Sequence, residues 1–231
     1  MRSSIPRVIL AWSFVPFAVG SSVHVLALGV SSPLAAPTKL FLMPLLLIPV
    51  AVMSRRLAPR AAIALLVSAI ALSWFGDAAG AFFGFAPELP TMLLFFGLAH
   101  IAYMLLFAIH ARLRRLPLWT LIYGAWWVAM LAVLGSHVGA LIIAIALYGL
   151  VLAGTATLAA RCHPLTVWGG ILFLLSDSIL AFRLFLPEGM PAWTSPAVMA
   201  TYAAGQALIV AGVLLTLSRA RDSQPLAAVA P

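Results

Sequence analysis

Charge is the scarcest feature of this sequence. Of its 231 residues only 8% are charged and five are acidic, whereas soluble domains run near a quarter charged. With 65% hydrophobic residues the chain cannot cover a water-facing surface, so a soluble globular domain is excluded. Cysteine is almost absent: Cys162 stands alone, which leaves no disulfide framework and no thiolate metal site. The HExxH pattern of zinc peptidases and the GxSxG elbow of serine hydrolases are both missing. No basic stripe exists either. The net charge of +8 comes from Lys and Arg scattered in ones, twos and threes between apolar runs, so nucleic acid is not expected as a partner. No cofactor and no metal are expected.

What the chain has in abundance is long apolar runs. Eight can be drawn, at about 8–28, 38–53, 61–75, 90–110, 118–134, 138–160, 165–186 and 197–217. A helix needs roughly 20 apolar residues to cross a bilayer, and the second and third runs are short by that measure. Only helices and closed barrels satisfy their backbone inside lipid, and unbroken runs of this length lack the alternation of a barrel strand. The expected fold class is all-α, a polytopic transmembrane bundle of eight helices. Residues 1–221 are read as one integral membrane domain and 222–231 as a disordered tail. Pro33, Pro37, Pro59, Pro87, Pro90, Pro117, Pro164, Pro187, Pro191 and Pro196 read as helix boundaries. Pro16, Pro44 and Pro49 fall inside runs and are read as kinks.

The positive charges set an orientation. With the N-terminus in the cytoplasm, Arg2, Arg7, Arg55, Arg56, Arg60, Arg112, Arg114, Arg115, Arg161, Arg219 and Arg221 all fall on the cytoplasmic side. The opposite loops hold Glu88 and Glu188 instead. The positive-inside rule then places both termini in the cytoplasm, in a bacterial inner or plasma membrane. A cleaved leader is the alternative for the first run, but the run stays apolar to Leu28, which favours a retained helix. Lys39 and Arg183 are the two cations that break the pattern. Each needs a partner, a route to the headgroups, or a task.

Two carboxylates need an explanation more than anything else. Asp177, in Leu175-Ser176-Asp177-Ser178-Ile179, lies nine residues before Leu186, or about 14 Å inside the membrane. A carboxylate at that depth faces the bundle interior or a cavity. Asp77 follows Ser73-Trp74-Phe75-Gly76 at the outer end of the third run, where exposure to water is an alternative. His100 and Gln206 come at a similar depth from the same side, with Tyr103 on the face of His100 and Tyr202 on that of Gln206. These residues can form one polar cluster, or act as hydrogen-bonding glue between helices. Ser176 and Ser178 have no adjacent base, which argues against a serine nucleophile.

At these positions the chain resembles the YhhN family of membrane proteins, which includes the mammalian lysoplasmalogenases. The resemblance runs through Thr38-Lys39-Leu40-Phe41-Leu42-Met43-Pro44, Phe75-Gly76-Asp77, Gly97-Leu98-Ala99-His100-Ile101-Ala102-Tyr103, Leu175-Ser176-Asp177-Ser178 and Tyr202-Ala203-Ala204-Gly205-Gln206. Two departures are visible: Lys39 is not followed directly by proline, and Gly205 replaces the usual alanine. The resemblance spans roughly residues 36–215 in order. It implies eight helices and hydrolysis of the vinyl-ether bond of a lysophospholipid or related ether lipid.

The residues suit that chemistry. Vinyl-ether hydrolysis needs a positioned acid, an anion to stabilise an oxocarbenium-like centre, and activated water. Asp77 and Asp177 are the expected acid–base pair. Desolvation penalises a charged carboxylate, so Asp177, the deeper by helix count, is assigned as the acid. Lys39, His100, Tyr103, Arg183, Tyr202 and Gln206 are the expected substrate-binding residues, with Lys39 or Arg183 on the lipid phosphate. The runner-up is a proton-coupled carrier of small solutes or lipids that uses the same buried carboxylates.

Overall fold

The computed structural model describes residues 7–54 and 57–222. The expectations that rest on Arg2, Arg55, Arg56 and residues 223–231 lie outside them. The first apolar run forms α1 (Arg7–Ser13) and α2 (Val15–Gly29). They are separated at Phe14, because Pro16 has no N–H to give to the carbonyl of Trp12. Next come α3 (Ala35–Ser54), α4 (Arg60–Asp77), the single turn α5 (Ala79–Phe82) and α6 (Glu88–Ile109). The last four are α7 (Leu121–Leu134), α8 (Ile142–Ala159), α9 (Pro164–Phe185) and α10 (Thr194–Asp222). No strand occurs among the described residues. The two runs that looked short lengthen into their Ala, Pro and Gly flanks as α3 and α4.

Seven helices among the described residues are long and apolar enough to cross a membrane, with Val8–Gly29 counted as one; Leu118–Leu134 is a shorter apolar helix. The chain is an integral membrane helical bundle. Three of the boundary prolines sit where their missing N–H costs nothing. Pro164 opens α9, while Pro59 and Pro87 immediately precede α4 and α6. Pro44 and Pro49 are carried inside α3. Pro44 leaves the carbonyl of Leu40 without its helical donor, and the indole Nε1 of Trp74 donates to that carbonyl at 2.8 Å. The contact ties the first turns of α3 to the last turn of α4.

The closest seam runs between α9 and α10. A Cβ on Gly205 would stand 3.0 Å from the carbonyl oxygen of Gly169 and 3.0 Å from the backbone nitrogen of Phe173. A Cβ on Gly169 would be 2.7 Å from the carbonyl oxygen of Gly205. Small residues allow such backbone contact in lipid, where packing rather than water exclusion holds helices together.

The basic loops gather at one end of the bundle. The N–H of Leu113 donates to the carbonyl of Arg161 at 2.8 Å, and Arg114 Nε donates to that of Ala160 at 2.9 Å, satisfying carbonyls left open at the end of α8. His163 Nδ1 accepts from the N–H of Leu165 at 3.2 Å and caps α9. Burial and then the charge of nearby Arg219 hold its pKa below the usual histidine range, which keeps the ring available as an acceptor. Cys162, buried in the same corner, has its thiol pushed up to about 12 by burial. Native Cys162 should therefore label slowly with a membrane-permeant maleimide at neutral pH. Cysteines introduced at Ala58, Leu113 and Ala220 should react from the cytoplasm, and those at Leu34, Phe85 and Gly189 from the opposite side. A consistent inversion would overturn the orientation.

Candidate functional site

At the end of the bundle away from the basic loops, a cavity of about 140 Å³ lies among α3, α4, α6, α8, α9 and α10. Its polar walls are Lys39, Asp77, Tyr148, Ser176, Asp177 and Tyr202; the rest is apolar. Asp77 is the last residue of α4, where the helix dipole already disfavours negative charge. Two groups offset that cost. Lys39 Nζ lies 3.5 Å from one carboxylate oxygen, and the Tyr202 hydroxyl donates to the other at 2.8 Å. Lys39 is one-third exposed and forms the wet side of the pair, whereas the Asp77 side chain is only 3% exposed.

Asp177 has different company. The Tyr148 hydroxyl, from α8, donates to its Oδ2 in a short hydrogen bond. His100 Nε2 faces the same oxygen at 3.9 Å and has no hydrogen-bond partner among the described residues, while His100 Nδ1 lies 3.2 Å from Thr155 Oγ1. The Asp177 side chain is 11% exposed. Helix counting placed Asp177 deeper than Asp77, yet Asp77 is the less accessible of the two, so depth does not rank them. Their partners differ: Asp77 pairs with a lysine and a phenol, Asp177 with a phenol and an imidazole. No hydrogen bond links the two carboxylates, each of which is held by its own tyrosine.

A second layer holds the first in place. Gln206 Oε1 accepts from the Tyr103 hydroxyl at 2.5 Å, and its Nε2 donates to Ser73 Oγ at 3.1 Å and to the Tyr202 hydroxyl at 3.5 Å. Tyr103, Gln206 and His100 are fully buried and none of them lines the cavity. They therefore act on it through Tyr202 and Asp177. Gly76 belongs to the same construction. A Cβ there would lie 2.6 Å from the ring of Phe96, so the glycine lets Phe96 close the cavity wall over the last turn of α4.

Of the residues expected to bind substrate, Lys39 and Tyr202 stand on the cavity wall with both aspartates. Arg183 does not. Its Nη1 donates to Thr194 Oγ1 in a short hydrogen bond and to the carbonyl of Pro191 at 3.4 Å, clamping the loop between α9 and α10. Ser176 and Ser178 donate to backbone carbonyls of Val198 and Leu174, which leaves neither poised as a nucleophile. No group of three His, Cys, Asp or Glu side chains that could hold a metal occurs among the described residues. Tyr148 is a site residue that was not expected from the sequence. Its signal was a phenol in mid-helix, whose hydroxyl must find a partner once buried.

The chain belongs to the YhhN family: the family's model matches residues 34–213, an interval that contains every residue of this site. No curated protein matches the chain, and no solved structure does.

Proposed function

We propose that this YhhN-family chain is a membrane-embedded ether hydrolase of the lysoplasmalogenase kind. It would cleave the vinyl-ether bond of a lysophospholipid or related ether lipid to a fatty aldehyde and a glycerophospho-headgroup alcohol. The observation that carries this reading is one apolar cavity with two separately held carboxylates, one beside a lysine and the other beside a tyrosine and a histidine.

Asp177, held by the Tyr148 hydroxyl and facing His100, is the acid. Its proton goes to the β-carbon of the C=C–O unit, the π electrons form the new C–H bond, and positive charge develops on the adjacent carbon and ether oxygen. Asp77, paired with Lys39, is the group placed to stabilise that charge. Water adds to the cationic carbon and returns a proton to Asp177, giving a hemiacetal. The hemiacetal C–O bond to glycerol then breaks, and the hydroxyl proton passes to the departing oxygen. One water is consumed and the acid is restored. Tyr148 and Tyr202 fix the carboxylates, and Lys39 at the mouth reaches the lipid phosphate.

The test is to incubate purified protein with a vinyl-ether lysophospholipid and, in parallel, with its saturated alkyl-ether counterpart. Aldehyde is expected from the first alone. No aldehyde, together with solute-dependent proton flux in liposomes, would overturn the reading and make the carboxylates part of a carrier. Lys39 supplies a finer prediction. Lys39→Met should raise KM and also lower kcat, because it removes a phosphate contact and the counter-ion of Asp77. Arg183→Gln should change both less, because its guanidinium is committed to the 191–194 loop. Equal kinetic effects of the two variants would argue against this division of labour.

A further inference from the structure

A second concavity lies on the outside of the bundle, in the crease between α6 and α8. Its volume is about 320 Å³. Leu94, Gly97, Leu98 and Ile101 form one side, and Leu147 and Val151 the other. Two residues, Leu93 and Tyr148, line both this groove and the cavity that holds the aspartates. The Tyr148 hydroxyl bonds to Asp177 while its ring forms part of the groove wall. The two spaces thus meet at the side chain that holds the proposed acid.

We infer that this groove is the binding site for the hydrocarbon chain of a single-chain lipid whose polar end lies at Lys39. The inference rests on the proposed function for its orientation. Along the chain of such a substrate the phosphate comes first, the ether unit next and the aliphatic tail last. The protein presents matching surfaces in the same order: Lys39 at the mouth, the two carboxylates, Tyr148, and then an apolar crease. On α6 the crease extends from Pro90 to Ile101, about 16 Å at the helical rise. The occupant must be apolar throughout, since Tyr148 is the only polar side chain on the groove wall and its hydroxyl is already engaged.

Gly97 makes the crease possible. A Cβ at this position would meet only Tyr148 Cδ2, at 4.0 Å, so a larger side chain can enter the open space without striking backbone. Gly97→Phe should therefore fold and fill the groove. Gly124, with nothing within 4 Å of its Cβ position, provides a control on α7 in Gly124→Phe.

The experiment uses full-length protein in nanodiscs and a saturated alkyl-ether lysophospholipid with a diazirine near the end of its chain. Being saturated, this probe reports binding independently of hydrolysis. Crosslinks to Leu94, Leu98, Leu147 or Val151 are expected to saturate with probe, to be competed by unlabelled lysophospholipid, and to fall at least fivefold in Gly97→Phe but not in Gly124→Phe. Crosslinks spread evenly over all lipid-facing helices, or groove crosslinks insensitive to Gly97→Phe, would overturn the inference. The two proposals fail separately. Aldehyde release with unspecific crosslinking removes the groove and keeps the hydrolase; groove crosslinking without aldehyde release keeps the chain site and removes the reaction.

Discussion

Asp177→Asn protein should insert and purify like the wild type and hydrolyse a vinyl-ether lysophospholipid at least ~100-fold more slowly, the scale of a lost general acid. Asparagine has the size of aspartate and keeps an oxygen to accept the Tyr148 hydroxyl, so the contact between α8 and α9 is retained. What it lacks is a proton to deliver to carbon. Asp77→Asn should lose activity on the same scale for a different reason: the oxocarbenium-like centre loses its anion. That variant should also be the less stable of the two, because Lys39 is left without its carboxylate beside an apolar cavity. Tyr148→Phe keeps the acid and loses only its positioning donor, so its loss should be smaller than that of either Asn variant. A folded Asp177→Asn protein with near-normal turnover would refute the role given to Asp177.

Gly205→Leu should be destabilised by about 3 kcal/mol, the upper range for overpacking a tight contact. The added side chain has nowhere to go. Its first carbon already meets the carbonyl oxygen of Gly169 and the backbone nitrogen of Phe173 at 3.0 Å each, and backbone cannot rotate aside as a side chain can. Separating α9 from α10 would also pull Tyr202 and Gln206 away from the helix that carries Asp177, so activity should fall with stability. Gly124→Leu serves as the comparison, since its Cβ position is open. Thermal unfolding in detergent measures both, and a Gly205→Leu midpoint equal to the wild type would show that the seam tolerates separation.

Much of the bundle was legible in the sequence because lipid allows so few solutions. Apolar runs must become helices, and the eight runs each did. Prolines marked helix starts because the first turn has no use for their missing N–H. Asp177 was recognisable as interior for the same reason that a charge in hydrocarbon is costly. What a sequence cannot give is lateral position. Counting residues from a helix end measures depth along the membrane normal, and by that measure Asp177 was the more buried carboxylate. Asp77 is nevertheless less accessible, because Tyr202, Lys39 and the surrounding helices close around it. Arg183 was singled out with Lys39 because both are cations off the basic side of the bundle, but its hydrogen-bond partners come from a loop whose path is set by tertiary structure. Tyr148 was overlooked because, unlike Tyr103 and Tyr202, it has no polar residue one helical turn away, and only the fold shows its hydroxyl on Asp177.

Protonation of carbon by a buried carboxyl is read most directly by running the reaction in deuterated water. Vinyl-ether lysophospholipid and protein would be incubated in D₂O, with the aldehyde reduced in situ to its alcohol so that exchange cannot follow. One carbon-bound deuterium per molecule is expected, on the carbon next to the former aldehyde carbon and in a single configuration, because the proton arrives from one side of a fixed site. Asp177→Asn should abolish that product. Aldehyde without deuterium at that carbon, or with deuterium in equal amounts of both configurations, would contradict protonation by a positioned acid.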